Sequence, residues 1–310
     1  MTKHNPFDFI FLIRPILLIP CWNFLLIGSY RAQGVDGFTG RIVLGLIIYT
    51  FVMGGVYILN QIMDVETDRI NKKLFLLSEG YVSIKYAYIE MLILWIVAIF
   101  LSLRFDMIFV IFIIISIIMG ILYSVSPVKL KGKPIFDTLS NGFGYGMINL
   151  GVGWLLVRPF EWNMFWLFIP YFLSLSAFFI NTTIVDMEGD RRAHESTTAL
   201  FLGENVASMV STVLMMGGVV IAYILKDLVC LIPAAVSLPL FVYVAVYSSL
   251  KNRIHRKLTI ASFRLHGLVF TLITAFIYPL YLLVLIVVFI SMRSYYKSRF
   301  GMVYPTLSQG

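Results

Sequence analysis

Charged residues are scarce in this chain of 310 residues. Only 13% of them are Asp, Glu, Lys or Arg, whereas 60% are apolar and the mean hydropathy is +0.91. Charged residues make up about a quarter of an average soluble domain. The shortage of charge therefore argues against two soluble domains, which the length alone would permit. A lipid bilayer is the environment that fits this composition.

Cysteine and histidine are also rare, and neither shows the spacing of a metal site. Cys21 and Cys230 lie in apolar runs without a CxxC partner, so we expect two small buried residues rather than a disulfide or metal ligands. The four histidines lack zinc-ligand spacing. No GxxxxGK[ST] loop and no strand-borne GxGxxG occurs, which argues against a soluble nucleotide as ligand. No nucleic-acid partner is expected.

Apolar runs long enough to cross a bilayer recur along the chain. Nine spans are predicted, at 9–29, 41–61, 86–103, 107–123, 138–157, 163–184, 206–225, 229–250 and 266–290. The first is too long for the core of a signal peptide and no small-residue cleavage site follows it, so we expect a retained helix. The sequence thus predicts an all-α, multi-pass membrane protein with one domain over residues 1–310.

The basic residues favour one orientation in the membrane. With nine spans, fifteen of them lie in the N-terminal tail and the loops that share its side, and five lie in the opposite loops. Because Lys and Arg are enriched in cytoplasmic loops, the N-terminus and the long loops are predicted to be cytoplasmic. Arg293, Lys297 and Arg299 contradict this orientation, since nine spans put the C-terminal tail outside.

Acidic residues are concentrated in two of these loops, each directly after an apolar run. The loops follow spans two and six and hold nine of the 16 acids: Asp64, Glu66, Asp68, Glu79, Asp186, Glu188, Asp190, Glu195 and Glu204. Two hexamers within them are nearly identical, DVETDR at 64–69 and DMEGDR at 186–191. Orientation in the membrane does not require this, because acids contribute little to it.

Helical spacing selects which of these acids can act together. Asn60, Asp64 and Asp68 are four residues apart and project along one helix face, whereas Glu66 points roughly the opposite way. The second hexamer repeats the pattern with its two aspartates on one face and its glutamate off it. Each hexamer is therefore predicted to present a pair of carboxylates in register.

Four convergent carboxylates repel one another unless cations lie between them. Mg²⁺ prefers hard oxygen ligands and is commonly shared with substrate phosphate oxygens. The paired hexamers therefore indicate a diphosphate held by Mg²⁺ at the mouth of a lipid-facing helical cavity. The alternative is a pair of solvated helix ends whose acids pair with Arg69 and Arg191.

A basic segment, YSVSPVKLKGKP at 123–134, lies on the same side as the two hexamers. Its prolines prevent a continuous helix, and Lys129, Lys131 and Lys133 could bind phosphate oxygens; the alternative is an ordinary basic loop beside the membrane. Arg14 lies inside the first predicted span. Charge at membrane depth normally faces a cavity or a partner, and snorkelling to the interface is the alternative.

These motifs, in this order, resemble the UbiA superfamily of intramembrane prenyltransferases across nearly the whole chain. The matching positions are Arg14-Pro15, Asn60-xxx-Asp64-xxx-Asp68, Tyr123-Ser124-xx-Pro127 with Lys129 and Lys131, and Asp186-xxx-Asp190-Arg191. Within the superfamily, NQIMDVETDRINK is most similar to the homogentisate-type and archaeal lipid branches.

The resemblance implies a helical bundle around a central cavity with cap loops on the cytoplasmic side. It implies Mg²⁺-dependent ionisation of a prenyl diphosphate and transfer of the allylic group to an apolar or aromatic acceptor within the membrane lipids. The catalytic and metal-binding residues implied are Asn60, Asp64 and Asp68 at one Mg²⁺ site and Asp186 and Asp190 at the other. The residues implied to face the diphosphate are Asn60, Tyr123, Lys129, Lys131, Arg191 and Arg14.

The chain departs from the family pattern at two places. Many members carry an Arg-Pro pair after the first motif, where KKLFLLSEGYVS has neither residue, so Lys72 or Lys73 is expected to substitute. His194 stands where members often carry glycine, which bears on the acceptor side or the cap. Neither change removes a carboxylate.

Two other functions remain open from the sequence. A membrane terpene cyclase would use the same aspartate pairs without a second substrate. A cation-coupled transporter would place its charges near the midplane on broken helices, whereas these acids lie at span ends.

Overall fold

The computed structural model describes residues 5–33, 37–70, 75–193 and 195–304, and within them the secondary structure is helical without a strand. The helices are α1 (Phe7–Leu12), α2 (Pro15–Gln33), α3 (Gly40–Met63), α4 (Val65–Ile70), α5 (Phe75–Ser78), α6 (Ile84–Ser102), α7 (Met107–Ser124), α8 (Phe136–Phe143), α9 (Leu150–Leu155), α10 (Asn163–Arg192), α11 (Thr198–Ile224), α12 (Leu228–Lys251), α13 (Arg256–Ile277) and α14 (Pro279–Phe300). A π-helical turn, Gly144–Asn149, joins α8 to α9.

Eight of these helices are long and apolar enough to cross a membrane: α3, α6, α7 and α10 to α14. The helix α2 has 19 residues, and α8, the π-helical turn and α9 form one continuous helical segment over 136–155. Each predicted span from 41–61 to 229–250 coincides with one of these helices or with that segment and overruns its end by at most two residues. The prediction of an all-α, multi-pass membrane protein is confirmed.

The predicted span 266–290 is wrong as a single helix, because α13 ends at Ile277 and α14 begins at Pro279. Proline lacks the N–H that a continuing helix needs and disfavours helical backbone at the residue before it, and Tyr278 accordingly has φ −121° and ψ 82°. The Tyr278 hydroxyl lies 2.9 Å from Ser29 Oγ near the end of α2, and Tyr295 donates to Asp8 at 2.6 Å. The helix α14 therefore runs back along α2 toward the N-terminus.

A buried ion pair fixes the C-terminal helix at the N-terminal end of the bundle. Arg299 donates to both carboxylate oxygens of Asp8, at 3.2 and 3.1 Å, and the two side chains are 6% and 1% exposed. The basic tail therefore lies at the same end as the N-terminus. The three tail cations therefore no longer conflict with the predicted orientation, which itself stays a prediction.

The first predicted span, 9–29, is also interrupted. The helix α1 ends at Leu12 and α2 begins at Pro15, so Arg14 lies between two helices rather than inside one. Arg14 has a φ of 57°, in the left-handed region that non-glycine residues rarely adopt. Because Pro15 disfavours the right-handed helical conformation at the residue before it, the chain breaks there.

Close packing of α2 against α9 depends on small residues. A Cβ on Gly28 would lie 2.1 Å from the Leu150 carbonyl oxygen, and one on Gly153 would lie 1.9 Å from the Leu25 carbonyl oxygen. Small residues allow membrane helices to approach backbone to backbone. This contact holds the segment 136–155 against the centre of the bundle.

The paired helices α13 and α14 predict that both termini lie on one side of the membrane. Phe7→Cys and Met302→Cys should react with an impermeant maleimide from the same side of sealed vesicles, because Phe7 and Met302 are exposed near the Asp8–Arg299 end. Trp162→Cys should react only from the opposite side, and the native Cys21 and Cys230 are buried and should stay unlabelled. Labelling of residues 302 and 162 from the same side would contradict the antiparallel pairing of α13 and α14.

Candidate active site

The first acidic hexamer continues the helical course of α3. Asp64 caps α3 with φ −104° and ψ 6°, yet its N–H still bonds to the Asn60 carbonyl at 3.1 Å. The Asp68 N–H bonds to the Asp64 carbonyl at 2.7 Å. The four-residue spacing is thus kept through the cap. The helix α10 extends through the second hexamer to Arg192 without a break.

The two hexamers meet across one polar chamber with a volume of about 300 Å³. Six of the residues predicted from the sequence line it: Asn60, Asp64, Tyr123, Lys131, Asp186 and Asp190. They come from α3, α7, the basic loop and α10, which are far apart in the sequence. The chamber therefore brings together all three motifs.

The glutamates of both hexamers point away from this chamber. Glu66 is exposed and pairs with Arg69 at 3.3 Å, and Glu188 is exposed and pairs with Arg192. Both pairs are on the surface, where ion pairs contribute at most about 1 kcal/mol. Asp64, Asp186 and Asp190 line the chamber, whereas neither glutamate does.

Four of the predicted residues lie off the chamber lining: Asp68, Arg191, Lys129 and Arg14. Asp68 is buried on α4, one turn beyond Asp64, and does not border the chamber. Arg191 is exposed on the surface of α10. Their suggested roles stay predictions. Lys72, Lys73 and His194 fall outside the described residues.

A lysine from the basic loop neutralises the first carboxylate. Lys131 lies on the short 3₁₀ helix Leu130–Gly132, and its ammonium group donates to both oxygens of Asp64. Their side chains are only 10% and 17% exposed, so this pair is screened less by water than the surface pairs. The loop thus supplies positive charge inside the acidic chamber.

The second lysine of this loop binds elsewhere. Lys129 has a φ of 37° and pairs with Glu195 at 3.0 Å, while the Ser196 N–H donates to the Gly132 carbonyl at 3.3 Å. These contacts attach the basic loop to the segment that follows α10. Lys129 therefore lies at the rim of the chamber and is separated from it by its ion-pair partner, Glu195.

An apolar cavity of about 230 Å³ adjoins the polar chamber. Asn60, Tyr123 and Asn141 border both spaces, and Asn141 donates to the Tyr123 hydroxyl at 3.0 Å. Arg14 lines the apolar cavity rather than the chamber. A ligand could therefore extend from polar to apolar surroundings through this junction.

The donor set of the chamber fits Mg²⁺ chemically. Its metal-binding candidates are carboxylate and amide oxygens, which hard cations prefer. Within the described ranges, no three His, Cys, Asp or Glu residues are close enough to hold one ion by themselves. Mg²⁺ commonly binds through one or two carboxylates and completes its shell with water and substrate phosphates, which Asp64 on one side and Asp186 with Asp190 on the other can satisfy.

Sequence inspection missed several residues of the chamber. Asp137 and Asn141 on α8 repeat the four-residue spacing of Asn60 and Asp64, a signal that could have identified them. Asp137 accepts from the Thr198 N–H at 2.9 Å and so fastens α8 to the start of α11. Thr197 donates to Asp190 Oδ2 at 3.0 Å, a contact that the sequence does not reveal.

Comparisons with known proteins agree with this arrangement. The UbiA prenyltransferase family model matches residues 17–272. A probable homogentisate phytyltransferase 2 from Oryza sativa is 29% identical over 185 residues, covering 54% of this chain and 47% of the relative. Digeranylgeranylglyceryl phosphate synthase from Sulfolobus acidocaldarius is 28% identical over 181 residues, covering 57% of this chain and 63% of the relative. The chain thus spans about half the length of the curated relatives it matches.

A solved structure shares the fold. The UbiA homologue from Archaeoglobus fulgidus, bound to GPP and Mg²⁺, superposes with a TM-score of 0.68 at 17% identity and covers 87% of this chain and 99% of its own. The family match extends over most of the chain, and the helical architecture agrees with it. This chain belongs to the UbiA prenyltransferase family.

Proposed function

We propose that this protein is an Mg²⁺-dependent prenyltransferase that moves an allylic group from a prenyl diphosphate to an aromatic or lipid acceptor. The observation that carries the proposal is the junction of a carboxylate-lined chamber with an apolar cavity at Asn60, Tyr123 and Asn141. A prenyl diphosphate has a polar head and a hydrocarbon tail in the same order. The chamber would hold the head and the cavity would hold the tail.

The aspartates would hold the diphosphate through Mg²⁺. We assign Asn60, Asp64 and Asp68 to one metal site, and Asp186 and Asp190 to the other. Mg²⁺ bound there would supply the positive charge that lets carboxylates and a diphosphate share one chamber. The A. fulgidus homologue was solved with GPP and Mg²⁺ bound, which supports a diphosphate and Mg²⁺ as ligands of this fold.

The basic and hydroxyl groups would stabilise the leaving diphosphate. Lys131 is within the chamber and would transfer its hydrogen bonds from Asp64 to the diphosphate as negative charge develops. Tyr123 would donate to a diphosphate oxygen, held in position by Asn141. Lys129 and Arg191 would act from the rim, and Arg14 from the cavity side.

The cavity would protect the allylic cation that ionisation leaves. Apolar walls exclude water, which would otherwise capture the cation. Tyr57 and Tyr145 line the cavity, and an aromatic face can stabilise a cation by about 0.5–2 kcal/mol. On ionisation the diphosphate would leave with the electrons of the broken C–O bond; the acceptor would then attack the allylic cation and release a proton.

The membrane orientation is proposed from the distribution of basic residues, and the acceptor class is proposed from the names of the relatives. The chamber lies at the end of the bundle that carries most of the basic residues, so we place it at the cytoplasmic face. The names of the rice and Sulfolobus relatives describe a homogentisate acceptor and a glyceryl phosphate product. Both involve a second substrate, which favours transfer over cyclisation.

Product analysis tests this function. Purified protein with Mg²⁺, a panel of prenyl diphosphates, and either homogentisate or extracted host lipids should form a prenylated acceptor together with free diphosphate. The prenylated product should be absent when the acceptor is omitted. Formation of a cyclic hydrocarbon without any acceptor would overturn the assignment in favour of a terpene cyclase.

Substitutions within the hexamers should separate the aspartates from the glutamates. Asp64→Ala, Asp68→Ala, Asp186→Ala and Asp190→Ala should each lower kcat/KM by about 10²–10³-fold or more, because each removes a ligand for the charge that holds the diphosphate. Glu66→Ala and Glu188→Ala are matched controls from exposed ion pairs and should stay within about twofold. Equal losses in the glutamate variants would refute the helical-face argument.

The three basic groups should differ in importance. Lys131→Ala should lower kcat/KM by about 10²-fold, because it removes a preorganised donor inside the chamber. Lys129→Ala should cost less than about tenfold, since Lys129 is partly exposed and pairs with Glu195. Arg14→Lys should also lower the rate, because lysine lacks the planar guanidinium group with which Arg14 would bind the diphosphate oxygens. Steady-state kinetics that rank Lys129 above Lys131 would contradict these placements.

A further inference from the structure

The connection between α12 and α13 carries a cluster of cations. The helix α12 ends at Lys251 and α13 begins at Arg256, so residues 252–255 join the two helices. Lys251, Arg253, Arg256 and Lys257 are all exposed. We refer to residues 251–257 as the α12–α13 turn. Neighbouring antiparallel helices lie about 8–10 Å apart, which is close to the screening length of about 8 Å at physiological ionic strength, so the fields of these four charges overlap.

These four cations lack the carboxylate partners that other cations of the chain have. In the described ranges, six cations elsewhere form ion pairs with Asp or Glu: Arg31, Arg69, Lys129, Lys131, Arg192 and Arg299. Within the same ranges, none of the four cations of the α12–α13 turn has such a partner. Their charge is therefore available to an external anion.

Polar contacts hold the α12–α13 turn in one shape against the start of α11. Asn252 has a φ of 50°, which asparagine tolerates better than most residues, and its side-chain oxygen accepts from the Asn205 amide at 2.8 Å. The Ile254 N–H donates to Glu204 Oε2 at 3.1 Å. Glu204 thus binds the backbone of the turn rather than one of its cations.

A row of aromatic rings leads along the outer side of α12 to this turn. The rings of Tyr243 and Tyr247 lie 6.1 Å apart, and Tyr247 lies 5.2 Å from the His255 ring. Tyr243 is 48% exposed, and Leu250, directly before the turn, is 76% exposed. Tyrosines are enriched at the headgroup level of a bilayer. Lys251 follows Tyr247 by four residues, which is about 6 Å along the helix, so the cations lie at the depth of lipid phosphates.

We propose that the α12–α13 turn is a binding site for an anionic phospholipid. Its phosphate contacts Lys251, Arg253, Arg256 and Lys257, and its acyl chains lie against Tyr243 and Leu250. The guanidinium groups can each form two parallel hydrogen bonds to a phosphate, and the lysines add point charges. Clusters of four or more Lys and Arg directly beside a membrane helix typically bind anionic lipids.

The site is independent of the proposed prenyl transfer. None of its residues lines the acidic chamber or the apolar cavity. The preference of basic loops for the cytoplasm accounts for the number of cations, but it requires neither their lack of carboxylate partners nor the aromatic row that leads to them. The exposed Tyr243 and Leu250 favour a lipid over a soluble anion, because a soluble anion has no chain to cover them.

Native mass spectrometry of the full chain in detergent tests the site with two lipids that have the same acyl chains. Wild-type protein should bind its first phosphatidylglycerol at least about tenfold more tightly than its first phosphatidylcholine, because each basic residue near the surface contributes about fivefold to the attraction of anionic lipid. Equal dissociation constants for the two lipids would overturn the proposal.

Neutralising the turn should remove this preference. The variant that combines Lys251→Gln, Arg253→Gln, Arg256→Gln and Lys257→Gln should bind the two lipids within about twofold of each other. A matched control combines Lys85→Gln, Arg104→Gln, Arg293→Gln and Lys297→Gln, which removes the same two lysines and two arginines from exposed positions elsewhere. The control should keep the wild-type preference within about twofold. Equal losses in both variants would show an effect of net charge alone and overturn the site.

Two further measurements on the wild-type protein do not depend on the folding of any variant. A photoactivatable phosphatidylglycerol should crosslink to peptides that contain residues 243–257, and crosslinks confined to other peptides would overturn the proposal. Inorganic phosphate in tenfold excess should leave phosphatidylglycerol bound. Its release by phosphate would show that the turn recognises a free anion and would overturn the assignment to a lipid.

Discussion

Repulsion among carboxylates gathered at one end of an apolar bundle is the constraint on which this structure depends. Two unit charges 4 Å apart interact by about 4 kcal/mol at the effective dielectric constant of a protein surface. Lys131 relieves this repulsion by donating to both oxygens of Asp64. That contact fixes one side of the basic loop. Lys129 fixes the other side by pairing with Glu195. A charged ligand entering the chamber must replace this arrangement.

The apolar frame makes that chamber and its neighbouring cavity possible. The α2–α9 contact draws the segment 136–155 inward, so that Asn141 borders both the chamber and the cavity and Asn149 lines the cavity. One helical segment therefore contributes to both spaces. The ion pair between Asp8 and Arg299 closes the bundle by joining its first and last described helices.

Local periodicity explains what the sequence could predict. Four-residue spacing put Asp64 and Asp186 on helix faces that border the chamber, because helical geometry is local. The helix break at Pro279 was not predicted, because hydropathy averaged over a long apolar run does not detect the loss of a single backbone N–H. Asn141 was overlooked although its four-residue spacing from Asp137 was visible, whereas its contact with Tyr123 on another helix could not be read from the sequence. The burial of Asp68 likewise depends on tertiary packing that no local pattern encodes.

Equilibrium binding of a prenyl diphosphate with and without divalent metal tests the central claim most directly. If the acidic chamber holds the diphosphate through Mg²⁺, geranyl diphosphate should bind purified protein in Mg²⁺, and its affinity should fall by at least about 100-fold in excess EDTA. Restoring Mg²⁺ should restore the affinity. Unchanged binding in EDTA would contradict the claim that these carboxylates act through bound metal.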